Sequence, residues 1–298
     1  MRMLSNNIIK RLSRIEDLPS IPIVLTEIMT MLDDENLKSK NLAETIERDQ
    51  MLTTRVLRVA NSPYYGFTRK ISTIELAIAL IGINTIRDIV TGIMVKRIFI
   101  DTHRSVIDLD SYWKYSIFCA GATKYFAAKL KYRPLGESFV TGLMHDMGVL
   151  LLSTYFSHEY KEVLLQIEMD HKYSLVQAEQ KILQTNHAEV ASWLADKWNL
   201  PSKICVALKN HHYYFSNVDV KDVINEQPLT VAVALSEYFA KELGFMTWNN
   251  EKTDSKLFIG PEIFTESDDT MLDASSSISL IKQDLLKEFE KYSFFTEM

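Results

Sequence analysis

Apolar residues recur along this chain at intervals of three and four, the period of an amphipathic helix, and seldom alternate as strand residues do. The first clear stripe is Val24, Leu25, Ile28, Met29 and Leu32, entered through Leu18-Pro19-Ser20-Ile21-Pro22, with Pro22 suited to a first helical turn. Asp33-Asp34-Glu35-Asn36 ends it. Ser39 is placed to cap a helix carrying Leu42, Ala43 and Ile46. After Arg48-Asp49 another carries Leu52, Val56, Val59 and Ala60 until Asn61-Ser62-Pro63 stops it. Ser72 followed by Glu75 has capping-box spacing and leads into Leu76, Ala79 and Leu80 as far as Gly82. Asn84 then starts a helix striped by Ile86, Ile89, Val90, Ile93, Met94 and Ile98.

Past a polar interval, Asp101-Thr102-His103-Arg104-Ser105, helical patterns cover residues 111–130, 136–153, 157–169, 174–183, 187–198, 201–210 and 228–243. Pro134, Pro201 and Pro228 fall at starts and not in interiors. After Gly244 the pattern fades: Asn249-Asn250, Gly260-Pro261 and Ser267 to Ser277 read as irregular chain, and an amphipathic helix at about 278–292 closes the sequence. No fixed-period repeat argues for a solenoid. The expected fold is all-α, a two-lobed helical bundle: an N-terminal lobe over 1–105, a second lobe over 106–245, and an acidic C-terminal extension over 246–298 with a terminal helix.

Composition supports this picture. A chain of 298 residues is long for one compact core and comfortable for two, and nine Gly with seven Pro leave little turn chemistry for an all-β fold. Cys119 and Cys205 lack CxxC spacing and read as buried free thiols, which suits a reducing cytoplasm. The longest apolar run, Leu76 to Ile83, is far short of the roughly 18 residues of a membrane span, so none is expected. Leu4, Ile8, Leu12 and Ile15, beside Arg2, Lys10, Arg11 and Arg14, form a short amphipathic stripe expected to dock on the protein itself. Residues 251–298 carry eleven Asp/Glu and five Lys/Arg, which accounts for the whole net charge of −6. The remaining 250 residues balance, so no general nucleic-acid-binding face is expected.

The candidate chemistry lies in the second lobe. Four of seven histidines, His145, His187, His211 and His212, fall at helix-like positions with Asp146, Glu189 and Glu237 in the same lobe. Imidazole and carboxylate together suit Mn, Fe, Ni or Zn, which polarise water or phosphate. No HxxxH or HExxH pair forces two ligands onto one helical face. Spacing therefore leaves two readings open: metal ligands, or hydrogen-bonded core histidines with His211-His212 simply ending a helix. In the first lobe, Asn61 and Ser62 either stop a helix through local backbone bonds or, with Tyr64 and Tyr65, present a loop to a partner.

Leu18-Pro19, Arg48-Asp49, Leu52-Thr53, Leu57, Ala60-Asn61-Ser62, Ile71, Ile74, Ala77-Ile78 and Leu80-Ile81-Gly82 occur in the order of a known pattern. Trp113, Ser116, Ala120, Gly142-Leu143, His145-Asp146, Gly148, His187, Glu189, Trp198, Leu200-Pro201 and His211-His212 continue it. Over about residues 15–245 the chain resembles the HDOD domain, the HD-related output domain of bacterial signalling proteins. The resemblance implies two helical bundles, the second like HD phosphohydrolases and HD-GYP cyclic-di-GMP phosphodiesterases. It also implies a ligand set of His145, Asp146, His187, His211, His212 and Glu237. Departures accompany it: Tyr115 stands where the first ligand histidine is expected, Glu237 stands for a late Asp, and no GYP follows His211-His212.

Tyr115 is a poor replacement for imidazole, because a phenol must lose a proton with a pKa near ~10 to bind metal strongly. The resemblance thus implies a non-catalytic bacterial regulatory protein, a helical scaffold for other signalling proteins or for a ligand such as a nucleotide second messenger. Asn61, Ser62, Tyr64 and Tyr115 are its candidate ligand- or partner-binding residues. No cofactor is required in this reading, with one divalent ion (Mn, Fe, Ni or Zn) as the open alternative. The rival is a metal-dependent HD-type phosphohydrolase or phosphodiesterase acting on nucleotides or cyclic dinucleotides.

Overall fold

The computed structural model describes residues 8–16, 18–31, 37–99, 105–170, 173–212, 220–246, 274–292 and 295, and among the described residues there is no strand. The polar interval 101–104, the acidic cluster 33–36 and the stretch 247–273 expected to be irregular lie outside them, as do Arg2 and Leu4. The fold is all-α.

The first group of helices is α1 (Ile8–Leu12), α2 (Ile23–Thr30), α3 (Ser39–Glu47), α4 (Gln50–Ala60), α5 (Ile74–Ile81) and α6 (Ile83–Ile98). Helices α2 to α6 pack on one another. In α4 the reason is plain: Leu52, Val56, Val59 and Ala60 form one buried stripe, and the Asp49 carboxylate caps the helix by accepting the Leu52 N–H at 3.0 Å.

The second group is α7 (Leu109–Lys129), α8 (Leu135–Met144), α9 (Met147–Tyr155), α10 (Ser157–Met169), α11 (Leu175–Leu183), α12 (His187–Lys197), α13 (Ser202–Asn210), α14 (Val220–Glu226) and α15 (Pro228–Glu242). Helix α7 is central: α8, α15 and the terminal helix α16 (Ala274–Glu290) all pack on it, and α6 meets α8 where the two groups join. Its burial runs almost unbroken from Tyr112 to Thr123, as expected of a helix enclosed on every side. No single helix among the described residues is long and apolar enough to cross a membrane.

The first and last described segments pack back on the bundle. Ile8 and Leu12 are buried, Arg11 pairs with Glu159 at 3.0 Å and lies over the Phe156 ring, and Trp198 Nε1 donates to the Pro19 carbonyl at 3.1 Å. Ile8, Leu12 and Ile15, the described part of the N-terminal stripe, thus pack on the chain itself. At the other end Tyr292 donates to Asp88 of α6 at 3.1 Å, and Asp88 also pairs with Lys124 of α7. The Phe295 ring fills the space beside Gly92 that a Cβ would need, and Lys96 Nζ donates to the Phe295 carbonyl at 3.2 Å.

Several local expectations are corrected. Thr73, not Ser72, caps α5 by accepting the Leu76 N–H. The buried stripe is accordingly Ile74, Ala77 and Ile78, while Leu76, Ala79 and Leu80 face outward. Apart from Glu75 the helix is apolar on every side, so its phase was not readable from hydrophobicity. Ser39 is the first residue of α3 and caps nothing, since the cap position belongs to Lys38. The terminal helix begins at Ala274, ahead of the expected 278, and α14 was not anticipated. Cys119 is buried but Cys205 only partly. The pattern over 136–153 is two helices, broken at His145-Asp146, where Asp146 leaves helical geometry at φ −101°, ψ 14°.

Candidate metal centre

That break sets the position of the candidate chemistry. His145 ends α8 and Asp146 precedes α9, so both side chains turn inward at a corner and not along a helix face. Two glycines let other helices close on the corner. A Cβ at Gly142 would meet the Cys119 carbonyl of α7 at 2.5 Å, and one at Gly148 would collide with the His187 carbonyl of α12. The expected segment Gly142-Leu143-Met144-His145-Asp146-Met147-Gly148 therefore carries its glycines for close approach on either side of the His-Asp pair.

Three imidazoles are held by their Nδ1 atoms. His145 Nδ1 donates to the Gly142 carbonyl at 2.8 Å, His211 Nδ1 to the Leu208 carbonyl at 2.7 Å, and His187 Nδ1 to the Glu179 carboxylate at 2.7 Å. Each partner can only accept, so each ring has a proton on Nδ1, and each turns Nε2 toward Asp146. The separations from Asp146 are 3.5 Å for His145, 3.2 Å for His187 and 3.5 Å for His211. His212 completes the group with Nε2 at 2.6 Å from that of His187. Its side chain is 30% exposed, so the cluster meets solvent on that side, whereas His145, His187, His211 and Asp146 are buried.

Burial, with His211 and His187 nearby, pushes His145 down to about 4 against the pull of Asp146. Burial opposes the charge on Asp146 too, but His145 and His187 outweigh it and hold this carboxyl well below the usual range. For His187 the carboxylates of Glu179 and Asp146 overcome burial and push it up.

The cluster does not satisfy itself. Asp146 Oδ1 and His211 Nε2 are buried, have no hydrogen-bond partner among the described residues, and face each other across 3.5 Å. With a proton on Nδ1, the lone pair of an imidazole Nε2 is available to a cation, as are those of a carboxylate oxygen. Leaving a buried polar group without a partner costs about 1–3 kcal/mol. One ligand atom from each of Asp146, His187, His211 and His212 lies within 4.8 Å of the others. Ligands bound at ~2.0–2.1 Å around a tetrahedral ion stand about 3.3 Å apart; the 3.2 and 3.5 Å separations from Asp146 match that, and the 2.6 Å between His187 and His212 is shorter, so the partly exposed His212 ring would swing outward to share an ion. Three nitrogens and a carboxylate oxygen suit Mn, Fe, Ni or Zn, so these residues fit one ion.

The other side of Asp146 differs. His145, Asp146 and Glu237 also converge, but the Tyr115 hydroxyl sits among them, 3.0 Å from His145 Nε2 and donating to Glu237 Oε1 at 3.2 Å. Burial, reinforced by Cys119 and Glu237, holds Tyr115 far above its ordinary pKa, so it is a neutral phenol. That makes it a hydrogen-bonding plug.

All six expected cluster residues and Tyr115 thus come together. Glu189 does not join them: its carboxylate accepts from Thr185 at 2.9 Å, and its backbone N–H donates to the Asn186 side chain that caps α12. Asn61, Ser62 and Tyr64 lie in the other group of helices. The Asn61 amide donates to the Leu57 and Ile71 carbonyls and accepts the Ile71 N–H, so it ties the end of α4 to the start of α5. Ser62 is half-buried and Tyr64 is exposed. Glu179 and Tyr160, which donates to Glu179 at 2.9 Å, were not singled out from the sequence. A signal for Glu179 existed: it occupies the buried stripe of α11 with Leu175, Ala178 and Leu183, where an acid is out of place.

An all-helical fold whose helix-breaking His-Asp corner is ringed by further histidines defines an HD-type helical protein. The model of the HDOD domain family matches residues 18–214, and the chain belongs to that family. An uncharacterised protein of Treponema pallidum (strain Nichols) is 25% identical over 209 residues; the match takes in 67% of this chain and 38% of that protein, so the chain spans well under half of that relative. Among solved structures, an HDOD domain protein of unknown function from Geobacter sulfurreducens superposes with a TM-score of 0.78 at 23% identity, covering 94% of each chain. A protein from Shewanella amazonensis SB2B, provisionally named a phosphohydrolase, gives 0.69 at 19% identity over 94% of this chain and 96% of its own. One from Marinobacter aquaeolei VT8, provisionally named for signal transduction, gives 0.72 at 16% identity over 95% and 60%. At these identities the likeness is one of fold.

Proposed function

We propose that this chain is a non-catalytic signalling protein, a two-lobed helical scaffold whose HD-type cluster holds one divalent transition metal ion as a structural or ligand-sensing centre. The carrying observation is the asymmetry about Asp146. On one side the Asp146, His187, His211 and His212 donors converge with two of their atoms unsatisfied. On the other the neutral Tyr115 phenol stands between His145 and Glu237.

When bound, the ion supplies Lewis acidity and a fixed positive charge. The chain's own residues orient three imidazoles through Nδ1, bury all of the cluster but its His212 side, and set the Tyr115 hydroxyl 3.0 Å from His145 Nε2. With a phenol between His145 and Glu237 there is no second cation to share the charge developing in phosphoryl transfer, which is why we favour binding over turnover. Partners would be other bacterial signalling proteins, consistent with the family, and their contact surface would include exposed Tyr64 and Phe67 in the loop after α4. The lobe boundaries at 105 and 245 belong to the same proposal.

The test joins metal content to turnover. Protein purified without chelator is expected to carry about one equivalent of Mn, Fe, Ni or Zn, lost in His211→Ala, and to leave cyclic-di-GMP intact with any of these ions added. Hydrolysis by the wild type that disappears in His145→Ala would overturn the non-catalytic reading.

A further inference from the structure

Glu179 is buried in α11 and uses a single oxygen twice. Its Oε2 accepts the backbone N–H of His187 at 2.8 Å and the ring Nδ1–H of the same residue at 2.7 Å. Its Oε1 accepts the Tyr160 hydroxyl at 2.9 Å. Glu179, Tyr160 and His187 are all fully buried, and among the described residues the only ion-pair partner of Glu179 is His187. Because the Glu179 oxygen grips backbone and ring together, the ring is fixed relative to the first turn of α12. The other held histidines lean on neutral carbonyls of their own helices. His187 leans at hydrogen-bond distance on a carboxylate from a different helix, whereas His212 Nδ1 is 3.6 Å from Glu237; the short contact fixes the Nδ1–H of His187 and makes its Nε2 more electron-rich.

We infer that Glu179, braced by Tyr160, is the positioning residue of the ion site, aiming His187 Nε2 and strengthening it as a donor. This rests on the reading that an ion is held by Asp146, His187, His211 and His212. A bland alternative is that Glu179 only caps α12 through the His187 N–H. A neutral glutamine can accept the same two N–H groups, so Glu179→Gln keeps the cap and removes the charge.

The experiment titrates Co²⁺ into chelator-treated protein and follows its visible absorption. Wild type is expected to bind one equivalent. Glu179→Gln is expected to bind about 10- to 100-fold more weakly with a shifted spectrum and unchanged helicity. Tyr160→Phe, the milder change should Glu179→Gln fail to fold, is expected to lose about threefold. Affinity and spectrum equal to wild type in the folded variants would overturn the inference. If wild type itself takes up no Co²⁺, the ion reading fails, and Glu179 is judged on ion-free protein. There the downfield Nδ1–H proton resonance of His187 is expected in wild type and absent in Glu179→Ala; its persistence would overturn the positioning role.

Discussion

Two buried polar clusters in this chain make a controlled comparison. Where α6, α7 and the C-terminal segment meet, the Asp88 carboxylate is 1% exposed, pairs with Lys124 and accepts from Tyr292. None of these three residues has a buried polar atom left without a partner. At the corner between α8 and α9, Asp146 is as deeply buried, yet its Oδ1 and His211 Nε2 lie 3.5 Å apart, each without a hydrogen-bond partner among the described residues. One carboxylate meets a lysine ammonium, and the other has an oxygen facing the unpartnered Nε2 of His211. Buried polar groups are tolerated when paired, so the first cluster is complete as a piece of architecture and the second asks for a cation from outside.

The comparison is most forcefully broken at the close approach that builds the second cluster. Gly148→Ala puts a methyl into the His187 backbone. It is expected to destabilise by more than about 3 kcal/mol, as overpacking against rigid backbone does, and to abolish ion uptake. Denaturant unfolding together with elemental analysis checks both. Lys124→Met strands Asp88 with a phenol alone and is expected to cost about 3 kcal/mol in the same unfolding assay while leaving ion content unchanged. Tyr292→Phe removes one hydrogen bond from the complete cluster, at about 1 kcal/mol, again with no effect on ion content.

The smallest effect comes from a partly exposed reference pair. Burial raises Asp49, but the Leu52 N–H and the Arg97 guanidinium outweigh it, and the carboxyl is held below its ordinary value. A folded pKa below the unfolded one stabilises above the unfolded value and loses that contribution as pH falls through the folded one. Asn can still cap α4, so Asp49→Asn is expected to cost about 0.5 kcal/mol at pH 7. The gap from wild type should close as unfolding is measured from pH 5 down toward 3; a gap that widens there contradicts the assigned ion pair.

Much of this was legible in the sequence, and the misses share a cause. Helices whose polar and apolar faces differ, such as α4 with its Leu52–Val56–Val59 stripe, could be read directly. Helix α5, apolar all round apart from Glu75, could not be phased. The break at His145-Asp146 was hidden because Met144 and Met147 continue the apolar spacing across it. His145, Asp146, His187, His211, His212 and Glu237 were nameable by type and by resemblance, but their convergence depends on Gly142 and Gly148 admitting α7 and α12. Glu179 was visible only as an acid inside an apolar stripe, with no local sign of its partner His187. The docking of Tyr292 on Asp88, 204 residues away, leaves no local trace.

The unequal clusters are tested most directly by anomalous diffraction from crystals grown with Mn, Fe, Ni or Zn. One peak is expected, bounded by Asp146, His187, His211 and His212. No peak there, or a second of equal height between His145, Asp146 and Glu237 where the Tyr115 hydroxyl lies, would contradict a single-ion centre.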